Sequence, residues 1–273
     1  MLTALTRQVS PLIDNCLLEN LPRQEIDAAK AARQHVEYEA CLQDLGIQIV
    51  RVPDAPECPD GVFVEDPAVT LDEAAVILPM GTEVRRKEVP SVAETLARFK
   101  PLIHVRPPAM LEGGDVMRIG KTLFVGMSVR SNQEGVERFA AAVGPMGYTV
   151  KPVRVYGCMH LKSGCCYAGA GTVVANREWV DVSPFREFSI IDVPADEPWA
   201  ADVLAIGETV LMPSCFPGTR RLLEQRGFQV TALDVSELMK AEAAVTCMSI
   251  IFESDHGAPP VGPNPASPGG MVT

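Results

Sequence analysis

The chain has 273 residues, 47% of them hydrophobic and 22% charged, and 24 basic against 35 acidic side chains leave a net charge of −11. That balance excludes a nucleic-acid binder, whose partner's phosphates demand a basic patch, and no apolar run reaches the ~18 residues of a membrane-spanning helix. Acidity suits a cationic ligand. The eight cysteines follow an N-terminus without a signal-peptide pattern, and so read as reduced thiols of a cytoplasmic protein, most of them small buried hydrophobes.

In chain order, Leu2–Leu5 begins a strand and a loop follows through Pro11 to Pro22. A helix is expected from about Arg23 to Leu45, with Ile26, Ala29, Val36 and Ala40 on its inner side and His35 exposed. Gly46 ends it and Ile47–Val50 returns as a strand. The Pro-rich, acidic stretch from Pro53 to Asp60 is a loop between units rather than a domain boundary. A strand pair near Ala68–Val69 and Ala75–Leu78 opens a second unit. Its helix carries Val89, Val92, Ala93, Leu96 and Phe99, and Leu102–Val105 is its return.

The stretch Arg106–Val155 shows the pattern most clearly. Glu112 precedes a glycine turn, Gly113-Gly114-Asp115, and a strand covers Thr122–Val125. Val136, Phe139, Ala140 and Val143 then fall at i, i+3, i+4 and i+7 of a helix closed by Gly147, before a strand from Tyr148 to Val155. A fourth unit has strands at Cys166–Ala168, Thr172–Ala175 and Ser189–Val193 but no clear helix. The fifth has Val203–Ile206, Thr209–Met212, a short helix from about Thr219, the cap Gly227 and a return at Phe228–Leu233; Val245–Phe252 is the closing strand. Residues 1–253 read as one catalytic domain, and 254–273, rich in Pro, Gly and Ser, as a disordered tail.

Spacing turns these pieces into a repeat. Asp66 to Glu112 is 46 residues, Glu112 to His160 is 48, His160 to Asp202 is 42 and Asp202 to Cys247 is 45. A period of this length marks stacked or circular copies of one supersecondary unit. Here the unit is strand–strand–helix–strand, which excludes an all-β propeller; chance spacing in an ordinary α/β sandwich is the plainer alternative. Five copies around an axis would bring an Asp, a Glu, a His and a Cys together at its centre.

Those residue types suit nucleophilic chemistry on a cation. A thiol such as Cys247 needs a base or a depressed pKa to react at neutral pH, and His160 is the base available. Glu112 and Asp66 can accept paired hydrogen bonds from a guanidinium. Arg85 and Arg130, each following the strand pair of its unit, can hold an amino-acid carboxylate. Cys158, His160, Cys165 and Cys166 offer zinc-type ligands, but their spacing lacks the C-x2–4-C pairs of structural sites, so no metal is assigned. Each residue also has a plainer role: turn duty for Glu112, strand-end capping for Asp66, a buried core thiol for Cys247.

The chain resembles the dimethylarginine dimethylaminohydrolases, within the superfamily of guanidine-modifying enzymes that includes arginine deiminase. The resemblance rests on Ala31-Ala32-Arg33-Gln34-His35, Phe63-Val64-Glu65-Asp66, Arg85–Val89, Glu112–Val116, Phe124-Val125-Gly126, Arg130–Gln133, His160–Ser163 and Val245-Thr246-Cys247 with Ser249. It implies a five-bladed α/β propeller of pseudo-repeated ββαβ units. It also implies hydrolysis of methylated arginine to citrulline without a cofactor. Cys247 would attack the guanidinium carbon and His160 would protonate the leaving amine and then activate water. Asp66 and Glu112 would hold the guanidinium. Asp60, Arg85 and Arg130 match positions at the amino-acid end, with Glu65 nearby, Leu18 in a loop over the substrate and Ala241 offering a carbonyl to the amine. The substrate is then a small cationic amino acid, and a homodimer is kept open as the assembly. Gly164-Cys165-Cys166-Tyr167 and Glu178–Trp199 depart from the family pattern. An arginine deiminase-like hydrolase, without that family's inserted helical domain, and a silent guanidino-compound binder are the alternatives.

Overall fold

The computed structural model describes residues 1–254; the tail expected over 254–273 lies, apart from Ser254, outside them. Strand β1 (Leu2–Thr6) leads through helix α1 (Ala28–Asp44) to β2 (Gln48–Arg51), which runs parallel to β1. The hairpin of β3 (Ala68–Thr70) and β4 (Ala75–Ile77) is followed by helix α2 (Val89–Leu96) and the parallel return β5 (Leu102–His104). Strands β6 (Val116–Ile119) and β7 (Thr122–Met127), helix α3 (Gln133–Val143) and strand β8 (Thr149–Arg154) repeat the plan. The single turn α4 (Leu161–Gly164) precedes β9 (Cys165–Gly169), β10 (Thr172–Ala175) and β11 (Ser189–Asp192), and then come β12 (Leu204–Ile206), β13 (Thr209–Pro213), α5 (Pro217–Gln225) and β14 (Gln229–Leu233). A last turn, α6 (Ser236–Met239), leads to β15 (Ile250–Glu253).

These strands form five three-stranded sheets. In each, an antiparallel pair is followed by a parallel return, so the unit is ββαβ. The opening unit takes its first strand from the other end of the chain: β15 pairs antiparallel with β1, Leu2 opposite Glu253 and Leu5 opposite Ile250. The Met1 ammonium and the Thr3 hydroxyl both bond to Ser254, which fastens the closure. The first strands of the units neighbour one another, β9 touching β6 and β12, and β15 touching β3. The result is a five-bladed α/β propeller. No helix among the described residues is long and apolar enough to cross a membrane.

Apolar periodicity places α2 and α3 correctly. Val92 and Leu96 pack with Leu5, Val50 and Ile77, while Val136, Phe139 and Val143 pack with Val76, Leu123 and Val125. Burying a Phe such as Phe139 contributes about 1.5–3 kcal/mol. In the fourth blade only a 3₁₀ turn (Ser183–Phe185) crosses between β10 and β11. Aromatic rings fill the gap, Phe124 against Phe185 at 4.5 Å and Trp179 against Trp199 at 4.6 Å between centroids.

Helix α1 departs from expectation in its start and in its face. It begins at Ala28, with Asp27 capping the Lys30 amide at 2.9 Å, because Arg23 and the Ile26 amide are drawn back to Asp14. Its buried face carries Ala31, Gln34, His35, Tyr38, Glu39 and Leu42, whereas Ala29, Val36 and Ala40 face solvent. Gln34, Tyr38 and Glu39 are tolerated there because their side chains are hydrogen-bonded, whereas His35 Nε2 has no partner among the described residues. Glu39 accepts from Thr6 (2.6 Å) and Arg51 (2.5 Å), and Tyr38 bonds Ser249 at 2.7 Å. His35, expected outside, is buried, and burial pushes its imidazole down to about 4. The closing strand is also shorter than Val245–Phe252. Residues 245–248 form a turn, since the Thr246 amide bonds the Asp202 carboxylate at 3.0 Å instead of a neighbouring strand.

Arg7 ties the first blade to the second. It is fully buried, and donates to the carbonyls of Pro53 (3.2 Å), Gly61 (3.0 Å) and Glu88 (3.3 Å) and to the Ser91 hydroxyl (2.6 Å). Arg7→Ala removes all four of these donated bonds and is expected to cost about 3 kcal/mol in urea unfolding. A loss below ~1 kcal/mol would mean that the loops re-form without it.

Candidate active site

Each blade delivers one residue just before its first strand. Asp66 precedes β3, Glu112 precedes β6, His160 caps α4 ahead of β9, Asp202 precedes β12 and Cys247 precedes β15. Because the first strands line the axis, their leading residues meet at one end of it. The glycine turn after Glu112 makes close approach feasible. A Cβ on Gly114 would lie 2.6 Å from His160 Nδ1 and 2.9 Å from an Asp66 oxygen, so no other residue fits without displacing the imidazole.

His160 Nε2 donates to Glu112 at 2.7 Å and lies 3.9 Å from Asp66. Burial alone would push the imidazole down, but the charges of Asp66, Asp115 and Glu112 and the Glu112 hydrogen bond outweigh it and raise it to about 9. His160 is therefore an imidazolium at neutral pH. Although their burial opposes ionisation, that cation, together with Arg85, holds Asp66 and Glu112 below the usual carboxylate range. Glu112 also accepts the Gly81 amide at 2.9 Å, and Asp66 the Gly114 amide at 3.1 Å.

Cys247 is partly buried, with Sγ 3.7 Å from Asp202 Oδ2. Burial first, and then the charges of Asp202, Glu65 and Asp66, push its thiol well above the ordinary range. In the empty site it is a thiol donating to Asp202. Burial likewise raises Asp202 to about 6, against the Thr246 hydrogen bonds that favour its ionised form. A cation placed beside Sγ reverses the balance for the thiol.

Arg85 is enclosed, with Nη1 2.6 Å from Asp66, Nη2 2.9 Å from Glu88, and the carbonyls of Asp60 and Phe63 within 3.3 Å. Its guanidinium thus positions Asp66. Arg130 is buried too and reaches Thr82 Oγ1 at 2.5 Å and Glu112 at 3.6 Å. Asp60 accepts the Leu17 amide at 3.1 Å. Asp60, Asp66, Arg85, Arg130, His160, Ala241 and Cys247 line one cavity with Leu17 and Glu242. Leu18 packs beside it against the core around Ile13. Glu65 is placed apart: it pairs with Lys162 and lines a different cavity, with Thr246 and Ser249.

Three carboxylates that carry the arrangement were not singled out from sequence. Asp202 was counted in the spacing but given no role. Asp115 accepts from Ser131 (2.5 Å) and from the Leu161 amide (2.8 Å), and so fixes the backbone next to His160. Glu242 accepts the amides of Glu19 (2.9 Å), Asn20 (2.6 Å) and Leu21 (2.7 Å), clamping residues 17–21 over the cavity. The closed cavity is about 20 Å³, room for about one water.

Among the described residues, one set of potential ligand atoms converges: Asp66, Glu112 and His160, all within 4.8 Å. Their oxygens are already engaged by Arg85, backbone amides and the imidazolium, a donor set that fits a guanidinium better than a bare ion. The thiols at Cys158, Cys165 and Cys166 lie buried instead, and burial raises each of them. That opposes metal ligation, which needs the thiolate.

A propeller of ββαβ blades with a cysteine, a histidine and paired carboxylates at its axis defines the guanidine-modifying class. The comparisons narrow it. A family profile described as eukaryotic N,N dimethylarginine dimethylhydrolase matches residues 13–167. The N(G),N(G)-dimethylarginine dimethylaminohydrolase of Streptomyces coelicolor is 37% identical over 249 residues, 90% of this chain and 95% of that protein. Its Pseudomonas aeruginosa counterpart is 36% identical over 228 residues, 83% and 90% of the two chains. A solved structure of the Pseudomonas aeruginosa enzyme, a cysteine-to-serine variant complexed with citrulline, superposes with a TM-score of 0.88 at 32% identity, covering 92% of this chain and 98% of that one. The chain belongs to the dimethylarginine dimethylaminohydrolase family.

Removing the clamp should free the loop. In Glu242→Ala, hydrogen exchange at the amides of Glu19, Asn20 and Leu21 is expected to rise at least ~10-fold, while the β7 amides keep their protection. Unchanged exchange at the three amides would show that Glu242 does not hold the loop shut.

Proposed function

We propose that this protein hydrolyses Nω-methylated arginine, releasing citrulline and dimethylamine or methylamine through a covalent cysteine intermediate. The observation that carries the reading is the pairing of a protonated His160, held by Glu112 and Asp66, with the Cys247 thiol in one small cavity. Relatives that bear the dimethylarginine dimethylaminohydrolase name, and the citrulline complex of one of them, support it.

The loop over residues 17–21 opens to admit substrate. The guanidinium settles against Asp66 and Glu112, and the amino-acid end lies toward Arg130 and Asp60. The cation offsets the carboxylate field that holds the proton on Cys247, so the thiol ionises as substrate binds. The thiolate attacks the guanidinium carbon. His160 gives its proton to the methylated nitrogen as the C–N bond breaks, the amine leaves, and a cationic S-alkylthiouronium remains on Cys247. His160, now neutral, takes a proton from water as that water attacks the same carbon. As the C–S bond breaks, the hydroxyl proton passes to the departing thiolate, which yields citrulline and restores the Cys247 thiol. The same proposal places the enzyme in the cytoplasm, which suits eight free thiols, and as a homodimer, a mass that sedimentation would read directly.

Cys247→Ser is expected to abolish citrulline formation while its circular dichroism matches the parent's. Substantial residual turnover would overturn the covalent mechanism. Ammonia from arginine, in place of dimethylamine from dimethylarginine, would instead indicate a deiminase. The free enzyme must carry the His160 proton, so kcat/KM should be retained up to, and fall as pH rises through, about 9. An alkaline limb centred below pH 7 would mean that His160 enters as a neutral base.

A further inference from the structure

The loop that closes the cavity is held from below by two carboxylates, Asp60 on the Leu17 amide and Glu242 on the amides of Glu19, Asn20 and Leu21. A third contact runs the other way. The loop's own Glu19 side chain reaches down to Arg130, with Oε1 to Nη2 at 3.0 Å. The two partners are unequal: Glu19 is 43% exposed and Arg130 only 4%. Arg130 Nε has no acceptor among the described residues. Its remaining contacts are Thr82 and, at 3.6 Å, Glu112. A buried guanidinium on the cavity wall, with a donor still free, thus receives a carboxylate from the half-exposed loop above it.

We propose that Glu19 is a built-in stand-in for the substrate's α-carboxylate, holding Arg130 in the empty enzyme and yielding it on binding, which makes Glu19 a specificity-determining residue. The inference rests on the assignment of Arg130 to the amino-acid end. Beside Glu112 at 3.6 Å, Arg130 then keeps a closer carboxylate both before and after substrate binds, in keeping with the cost of leaving a buried charge poorly paired. Substrate exchanges one carboxylate for another, and a guanidine without a carboxylate has nothing to exchange. The pair filters for free amino acids over simple alkylguanidines. If it merely tethered the loop, its loss would affect every ligand alike.

Glu19→Gln separates these roles. Asymmetric dimethylarginine is assayed as substrate, and its decarboxylated counterpart as a competitive inhibitor. The expected result is a KM lower by about two- to fivefold for the amino acid, the change falling on KM rather than kcat, with the inhibition constant of the decarboxylated compound unmoved. Equal shifts for both compounds, or an unchanged or raised KM, would overturn the proposal. Calorimetric binding of L-citrulline needs no turnover and keeps the two readings apart. Tighter citrulline binding by Glu19→Gln, in a protein that turns over no methylated arginine, supports the Glu19 role while sinking the proposed activity. Citrulline binding that is equal in the two forms, or absent from both, overturns the role.

Discussion

The architecture turns on one electrostatic requirement: a cluster of buried carboxylates at the propeller axis must be matched by buried cations. Asp66 and Glu112 face inward because Arg85, His160 and backbone amides meet them. Taken singly, each of these charges would be too costly to bury. Together they form a set in which the His160 proton belongs to the fold as much as to any reaction. The glycines at positions 113 and 114 belong to the same set. A Cβ at Gly113 would come within 2.0 Å of the Glu65 carbonyl, and one at Gly114 would strike the imidazole.

Much of this was legible in the chain, for physical reasons that can be named. Helices α2 and α3 show through because their buried faces are apolar, so the 3.6-residue period survives in the composition. The meeting of Asp66, Glu112, His160 and Cys247 follows from even spacing, because a residue leading the first strand of each blade must arrive at the axis. The inner face of α1 is hidden from periodicity, since Gln34, His35 and Glu39 are buried there, Gln34 and Glu39 with partners from other segments. Periodicity sees hydropathy, not satisfied hydrogen bonds. The early end of the closing strand has the same origin: Thr246 turns toward Asp202, a contact across 44 residues.

Glu242 and Glu19 were out of reach for a different reason. Neither lies at a repeat position, and an acidic residue in a loop carries no mark of whether it meets water, an arginine or three backbone amides. Glu242 adopts a left-handed backbone, φ 57°, unusual for a residue with a side chain. The clamp on residues 19–21 offers a reason for holding it there. Glu65, grouped from its position beside Asp66, turns to the opposite side of the backbone and pairs with Lys162. The two neighbours lie in the turn over residues 64–67 and line different cavities.

The pairing of β15 with β1 ties the place of the Cys247 thiol to closure of the ring. Four blades are complete within residues 68–233, and the carboxylates and the histidine of the centre lie within residues 66–202. Cys247 stands three residues ahead of the strand that joins the two ends of the chain. Cys247 is thus the last of the five axial residues in chain order and the one that the ring-closing strand places. A chain without residues 245–253 would keep Asp66, Glu112 and His160 but lack both the Cys247 thiol and the strand that closes the ring.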